Sequence, residues 1–298
     1  MEKLRRIVVG HNFFPDGEAA LRSAVALAER ANATLYILHV VEPYHVYQKI
    51  LFPSVPAEAM QEEIVLKMRA QLNDLGKSPA LARLHVETDV HIGKPFLELI
   101  KACRRWEGNL LVVGTSPRGG SHFLGSTGER VLRKAPVPVL IAKGDLVGGP
   151  KTVLIPIDFS PCAKRAAEEG LAFVRGFGGR AVFLHAMDLR YIYPVAYGTE
   201  PIVLPPVTPA DLEPDWQEFL TGLPLDGVTW EKHTREGKAA RVIADTATEY
   251  KADLVVIGTH GHTGLSHVLL GSVAEEVLRL TTCSVMTVRP EAFQFELP

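Results

Sequence analysis

The chain is written twice. RRIVVGHNFFPDGEAAL near the start reappears as KTVLIPIDFSPCAKRAA from Lys151, LYILHV from Leu35 as VFLHAM from Val182, and NLLVVGT from Asn109 as DLVVIGT from Asp253. GSTGERVLRKAPVPVLIAK from Gly125 returns as GSVAEEVLRLTTCSVMTVR from Gly271. The offset is roughly 146 residues, as from Pro15 to Pro161 and from His39 to His185, and slips by about two in the middle. A fixed period shared by several separated segments means that one structural unit occurs twice. The junction is the Gly/Pro stretch DLVGGP, Asp145–Pro150, so the expected domains are 1–143 and 151–298.

Within each unit, short β-branched runs alternate with helix-like segments. The runs are IVVG, TLYILHV, RLHVETDVHI, LLVVG and VPVLIAK in the first half. In the second they are VLIPI, AVFLHAM, VTWEKHT, LVVIGT and SVMTVR. Several are apolar throughout, as expected of parallel strands covered on both faces. The fold class is therefore α/β, two tandem open, doubly wound, Rossmann-like parallel sheets with right-handed crossovers. Ligands in such sheets sit beyond the carboxyl ends of the strands, where strand order reverses. Ile64, Met68, Leu72 and Leu75 have helical spacing and read as core packing. The second half instead carries a Pro- and aromatic-rich stretch, IYPVAYGTEPIVLPPVTPADLEPDW, expected to be a long loop before a short helix.

Bulk properties exclude several classes. A net charge of -2 gives no general attraction to nucleic acid or anionic membranes. No apolar run has membrane-spanning length, and the apolar part of the N-terminus is too short for a signal peptide. The three cysteines, Cys103, Cys162 and Cys283, form no CxxC and are odd in number, which fits a reducing cytoplasm.

The chemistry concentrates in GTHGHTGLSHVLLGS, Gly258–Ser272. Gly258 directly follows an apolar run, then come Gly261, Gly264 and Gly271, a G-x2-G-x9-G-S spacing that ends at a helix start. Glycine permits positive φ and close approach of a ligand to the backbone. Free N–H groups of a helix's first turn favour phosphate. This points to a phosphorylated ligand held by backbone amides and the Ser272 hydroxyl. Capping boxes, Ser272 with Glu275 and Ser126 with Glu129, account for the serines without any ligand. Asp158, in PIDFSP, ends the first strand of the second half; it can reach a ligand amine or hydroxyl, or form an Asx turn or helix cap.

Other nucleotide signatures are absent. GTHGHTG is not G-x-G-x-x-G, and GDLVGGPKT has Pro150 where a P-loop needs Lys. His260, His262 and His267 suggest solvated or phosphate-edge roles more than a metal site, and His39 and His185 suggest a shared structural hydrogen bond. Cys162 reads as a small buried thiol.

VLIPIDFSP, the G-x2-G-x9-G-S loop and the SVAEEVLR helix together resemble the universal stress protein family in its tandem form, over nearly the whole chain. That resemblance implies five strands in the order 3-2-1-4-5 per half and pairing along the fifth strands as an internal pseudo-dimer, with a homodimer as a further option. One branch of the family binds ATP through this loop. By similarity Gly258, Gly261, Gly271 and Ser272 would cradle ribose and phosphates, and Val273 would offer a backbone amide. Pro156 and Asp158 would face the nucleoside, and Ala186 would meet adenine. Magnesium would be held through the phosphates. No catalytic residue is assigned, and hydrolysis would be slow. The expected role is a nucleotide-binding stress or signalling protein with a protein partner; the alternative is an interaction module of the same fold that binds no nucleotide. An enzyme of the related nucleotide-hydrolase fold would need an SGGxDS loop, which IPIDFSPC does not supply.

The first half departs from the pattern. Asn12 stands for the aspartate, Gly10 for the proline and Pro117 for the second glycine. Ten residues separate Gly114 from Gly125, against twelve between Gly258 and Gly271. Gly125, Ser126 and Thr127 persist, and Arg118, Gly119 and Gly120 offer a shorter nest. A weakened or lost nucleotide site is expected there.

Overall fold

Both halves turn from strand to helix at a proline, and this local event aims the chain at the site. In the computed structural model strand β1 (Arg6–Gly10) leads to helix α1 (Pro15–Ala31), and β6 (Thr152–Ile157) leads to α5 (Pro161–Phe177). Proline suits a first helical position: its φ is preset, and its missing N–H would have no partner there. Two residues earlier, Phe13 and Phe159 take left-handed φ values of 59° and 61°, which swing the chain out of the sheet. The structure describes residues 4–43, 57–115, 124–187, 208–261 and 270–290.

The chain divides into two compact units, mainly between Gly149 and Pro150. The first continues through β2 (Thr34–Val41), α2 (Ala57–Gly76), β3 (Val86–Ile92), α3 (Pro95–Arg105), β4 (Leu110–Gly114), α4 (Gly125–Lys134) and β5 (Val139–Ala142). Its strands lie in the order β3-β2-β1-β4-β5, paired in parallel. The second half continues through β7 (Arg180–Met187), a 3-10 turn, α6 (Glu213–Leu220), β8 (Thr229–Glu236), α7 (Ala239–Glu249), β9 (Leu254–Gly258), α8 (Ser272–Leu280) and β10 (Ser284–Val288). Its order is β8-β7-β6-β9-β10, with the β6/β7, β6/β9 and β7/β8 pairs parallel. Each half thus has the order 3-2-1-4-5.

Burial explains the apolar runs. Ile7, Val8 and Val9 of β1, and Val153, Leu154 and Ile155 of β6, are fully buried because helices cover both faces of these central strands. The outer strands VETDVHI and TWEKHTRE are half-exposed and correspondingly polar. Of the expected stripe in α2 only Leu72 is buried, while Ile64, Met68 and Leu75 are half-buried; Val65, outside the stripe, is buried and Leu66 exposed. The short helix expected in the second half is α6, whereas the Pro-rich loop before it lies outside the described residues, as do His262, Gly264, His267 and the Pro117–Gly120 segment.

In each half the chain steps from the first strand outward to the second and third on one side, then crosses back from the third to place the fourth on the other side of the first. The carboxyl ends of β6 and β9 therefore open a crevice at the switch point.

Candidate nucleotide cleft of the C-terminal half

That crevice is a cavity of about 500 Å³. Pro156, Asp158, Ala186, Gly258, Gly261, Gly271, Ser272 and Val273, far apart in sequence, all line it. The volume falls within the range of about 300–1,000 Å³ typical of small-molecule sites.

Asp158 does two things at once. Its Oδ1 accepts hydrogen bonds from the Ser160 backbone N–H at 3.1 Å and the Ser160 hydroxyl at 2.6 Å. This is the Asx turn that the sequence allowed, and Ser160 in turn caps α5 by accepting from Ala163 N–H at 3.1 Å. The second oxygen, Oδ2, is left facing Gly261. The turn thus fixes the carboxylate, and the fixed carboxylate presents one free edge to the cleft.

The glycines serve closeness, not handedness. None of Gly258, Gly261 and Gly271 adopts a positive φ, so the anticipated left-handed turns are not the reason for glycine there. A Cβ on Gly261 would stand 2.5 Å from Asp158 Oδ2, and one on Gly271 2.9 Å from the Thr259 carbonyl oxygen. At Gly258 it would meet Cys162, with Sγ at 3.0 Å and backbone atoms at 3.2 and 3.3 Å. Each glycine lets two chain segments touch beside the cavity, which a side chain there would force apart.

The capping-box reading of Ser272 is corrected. The N-cap of α8 is Gly271, no side chain caps the helix, and Ser272 is its first helical residue. Ser126 likewise lies inside α4, whose N-cap Leu124 makes no side-chain cap. A first-turn position cannot fold its hydroxyl back onto the N–H three residues on as a cap does. The Ser272 hydroxyl and the first-turn N–H groups of α8 instead border the cavity, beside the positive end of the helix dipole.

At the opposite wall His185 lines the cavity beside Ala186. Its Nδ1 lies 2.8 Å from the Ile157 carbonyl oxygen, which can only accept, so Nδ1 carries the proton and Nε2 is an acceptor. Burial holds this imidazole below its ordinary 6.5, against the opposing pull of the Ile157 carbonyl. His39 repeats the bond to the His11 carbonyl at 2.7 Å, with its pKa lowered by burial in the same way. The shared structural hydrogen bond expected of this pair is therefore present. Phe159 packs at a tilt of 32° against His185 with centroids 4.6 Å apart and meets Trp216 edge-on at 5.3 Å, so α6 braces the turn that carries Asp158.

Sequence reading missed several wall residues. Thr259 is fully buried; its N–H donates to the Val288 carbonyl and its own carbonyl accepts from Gly271 N–H, tying the loop's two ends together. Its hydroxyl lies 2.8 Å from His260 Nδ1 and sets that ring on the cavity rim. Ala239 and Ile243 close another side from the start of α7. Only the general rule that loops at strand carboxyl ends form the site pointed to them. Cys162 is buried and its thiol donates to the Val288 carbonyl at 3.3 Å. Among the described residues no group of three or more His, Cys, Asp or Glu side chains is placed to hold a metal ion, and no helix is long and apolar enough to cross a membrane.

The first half keeps a cleft of about 460 Å³ at the equivalent place, lined by Asn12, Gly114, Gly125, Ser126 and Thr127 among others. Asn12 builds the same turn, accepting from Phe14 N–H at 3.1 Å. Its other atom is an amide nitrogen, which donates to Asp16. Here Gly125 does take a left-handed φ of 69°, unlike Gly271. The two clefts share a frame and differ in chemistry.

Comparison with known proteins agrees with this architecture. A universal stress protein of Mycolicibacterium smegmatis is 28% identical over 312 aligned positions, covering 95% of this chain and 97% of that protein. A universal stress protein of Methanocaldococcus jannaschii is 31% identical over 144 positions, covering 47% of this chain and 82% of its own. The crystal structure of a universal stress protein from Archaeoglobus fulgidus superposes with a TM-score of 0.72 at 19% identity, covering 97% and 99% of the two chains, a likeness of fold. The family model matches twice, at residues 3–143 and 149–289, and the chain belongs to the universal stress protein family.

Proposed function

We propose that the chain binds an adenine nucleotide, ATP or its ADP and AMP relatives, in the cleft of its C-terminal half, and acts as a stress-response or signalling protein. The observation that carries this is the cavity floor: three glycines at positions where a Cβ would collide with Asp158, Cys162 or Thr259 leave a bare backbone cradle leading into the start of α8. Phosphates suit that end, where backbone N–H groups, the helix dipole and Ser272 converge. Ribose or base donors suit the acceptor wall formed by Asp158 Oδ2. Magnesium would enter through the phosphates, since Mg²⁺ commonly keeps its waters and binds through substrate phosphates.

Turnover would be slow. The wall offers no lysine or arginine among its described residues to stabilise charge developing on a transferred phosphoryl group. Occupancy of the cleft, not hydrolysis, would then be the signal passed to a protein partner. Calorimetric titration of ATP into wild-type protein and into Gly261→Pro tests the reading. One saturable site, lost in the variant with its melting curve preserved, supports it. Binding of no adenine nucleotide would favour the alternative, an interaction module that keeps the loop only for its shape.

A further inference from the structure

The two halves share a fold but not a charge. With histidine neutral, residues 1–149 carry nineteen Lys and Arg against fifteen Asp and Glu, a net +4. Residues 150–298 carry thirteen against nineteen, a net -6. The surplus of the first half lies in two packed helices. Residues 94–107 and 125–134, which hold α3 and α4, contain seven Lys and Arg against three Glu, again +4. The matching segments of the second half, 238–251 and 271–280, contain four of each sign and cancel.

The structure joins these charges into one face. Phe96 sits in the seam between the helices, with Arg130 Cζ 5.1 Å and Lys134 Nζ 5.4 Å from its ring centroid, so the cations of α4 continue those of α3. Lys94, Arg104, Arg105, Arg130 and Arg133 are exposed. Glu98 is buried and turned onto Lys101 Nζ at 2.8 Å and His91 Nδ1 at 3.1 Å. Glu107 pairs with Arg6, a base outside the count. Every acid of the two segments is in the sum, so ion pairs within the face are already subtracted from +4.

A long polyanion on this face would also meet the second half, whose -6 opposes it. The chain supplies a better complement. Residues 208–220, which end in α6, hold four acids and no Lys or Arg, and Asp211, Glu213, Asp215 and Glu218 are all exposed. Lys232 pairs with Glu213 at 2.6 Å, and Lys164 turns its ammonium onto the Phe219 and Thr221 carbonyls. Asp215 and Glu218 face outward beside them. A surface of +4 and one of -4 attract each other, whereas two copies of either repel.

We infer that α3 and α4 form a docking face for a second copy of this chain, which presents the acidic α6 of its C-terminal half. The contact is heterologous, one face against a different one, and does not depend on the nucleotide reading. Sedimentation velocity of the full chain is the test. At about 10 mM ionic strength, where the Debye length is about 30 Å, mass should rise with concentration to two copies or more; at about 1 M, where it is about 3 Å, it should return to one. Arg104→Glu with Arg130→Glu, and separately Asp215→Lys with Glu218→Lys, each cancel the net charge of one face. Each pair should weaken self-association at least about tenfold. Mixed in equal amounts, the two variants should form a one-to-one pair and stop there, because the first keeps the acidic face and the second the basic one.

All four substituted residues are exposed. Melting curves check that the variants fold, and the salt response of the wild type decides the question if one does not. A wild type that stays a monomer at low ionic strength overturns the proposal. Association that persists at high salt, association unchanged in either folded variant, or folded variants that stay separate when mixed would overturn it as well. Capture of RNA or anionic vesicles by a chain that does not self-associate would assign the face to a polyanion and overturn it equally.

Discussion

Gly261→Ala is the smallest change that probes the nucleotide cradle. The added Cβ would stand 2.5 Å from Asp158 Oδ2, deep inside normal contact. Asp158 cannot easily retreat, because Oδ1 is held by both the backbone N–H and the hydroxyl of Ser160. The loop after β9 must therefore move away from the cleft. Overpacking of this kind costs about 1–3 kcal/mol. If that cost falls on the ligand-bound geometry, ATP affinity drops by roughly 5- to 150-fold. The melting temperature should change little, since a loop free to shift relieves the clash without unfolding. The assay is calorimetric titration in a double-mutant cycle with Asp158→Ala. Removing the carboxylate removes the clash, so the second alanine should cost less than about threefold in that background. Wild-type affinity in Gly261→Ala, or an equal loss in both backgrounds, would refute the steric argument.

Other expectations follow from the same contacts. Ser160→Ala removes the α5 cap and one of the two hydrogen bonds that hold Asp158 Oδ1, so stability should fall by about 1 kcal/mol in chemical denaturation, with ATP affinity falling as well. Gly258→Ala, pressed on Cys162, should lower the melting temperature through a cost of about 1–3 kcal/mol and be partly rescued by Cys162→Ala. His11, His39 and His185 have folded-state pKa values lowered by burial, so the unfolded chain binds more protons just below 6.5. Their contribution to stability is complete above 6.5 and is lost as pH falls toward the folded values. Melting temperature measured against pH should show that decline, and His39→Gln with His185→Gln should flatten it.

Much of this architecture was legible in the sequence because the repeat and the uninterrupted apolar runs are direct consequences of burial. IVVG and VLIPI lack polar residues since helices cover both faces of β1 and β6. The glycine loop was legible as a candidate site, and its glycines do line one cavity, but their physics was not legible. Spacing alone suggested left-handed turns, whereas the structure uses Gly258, Gly261 and Gly271 to bring segments from β6, α5 and β9 into contact. Those partners are up to about a hundred residues away and leave no local mark. Ser272 misled for a related reason: S-x-x-E fits a cap, yet the helix begins one residue earlier than a serine cap requires. Asp158 was read both as a turn former and as a ligand group, and its two oxygens divide those tasks. Thr259, Ala239 and Ile243 went unnoticed because only tertiary placement makes them walls. In the first half, Asn12 in place of Asp158 keeps the turn but puts an amide nitrogen where the second half has a carboxylate oxygen.

The central claim is that one adenine nucleotide occupies the C-terminal cleft. The most direct measurement is mass spectrometry of small molecules released by denaturing protein purified without added nucleotide, quantified against the chain and repeated after saturation with ATP. The account predicts about one nucleotide per chain after saturation in the wild type and none in Gly261→Pro. No bound nucleotide under either condition, or two per chain, would contradict it.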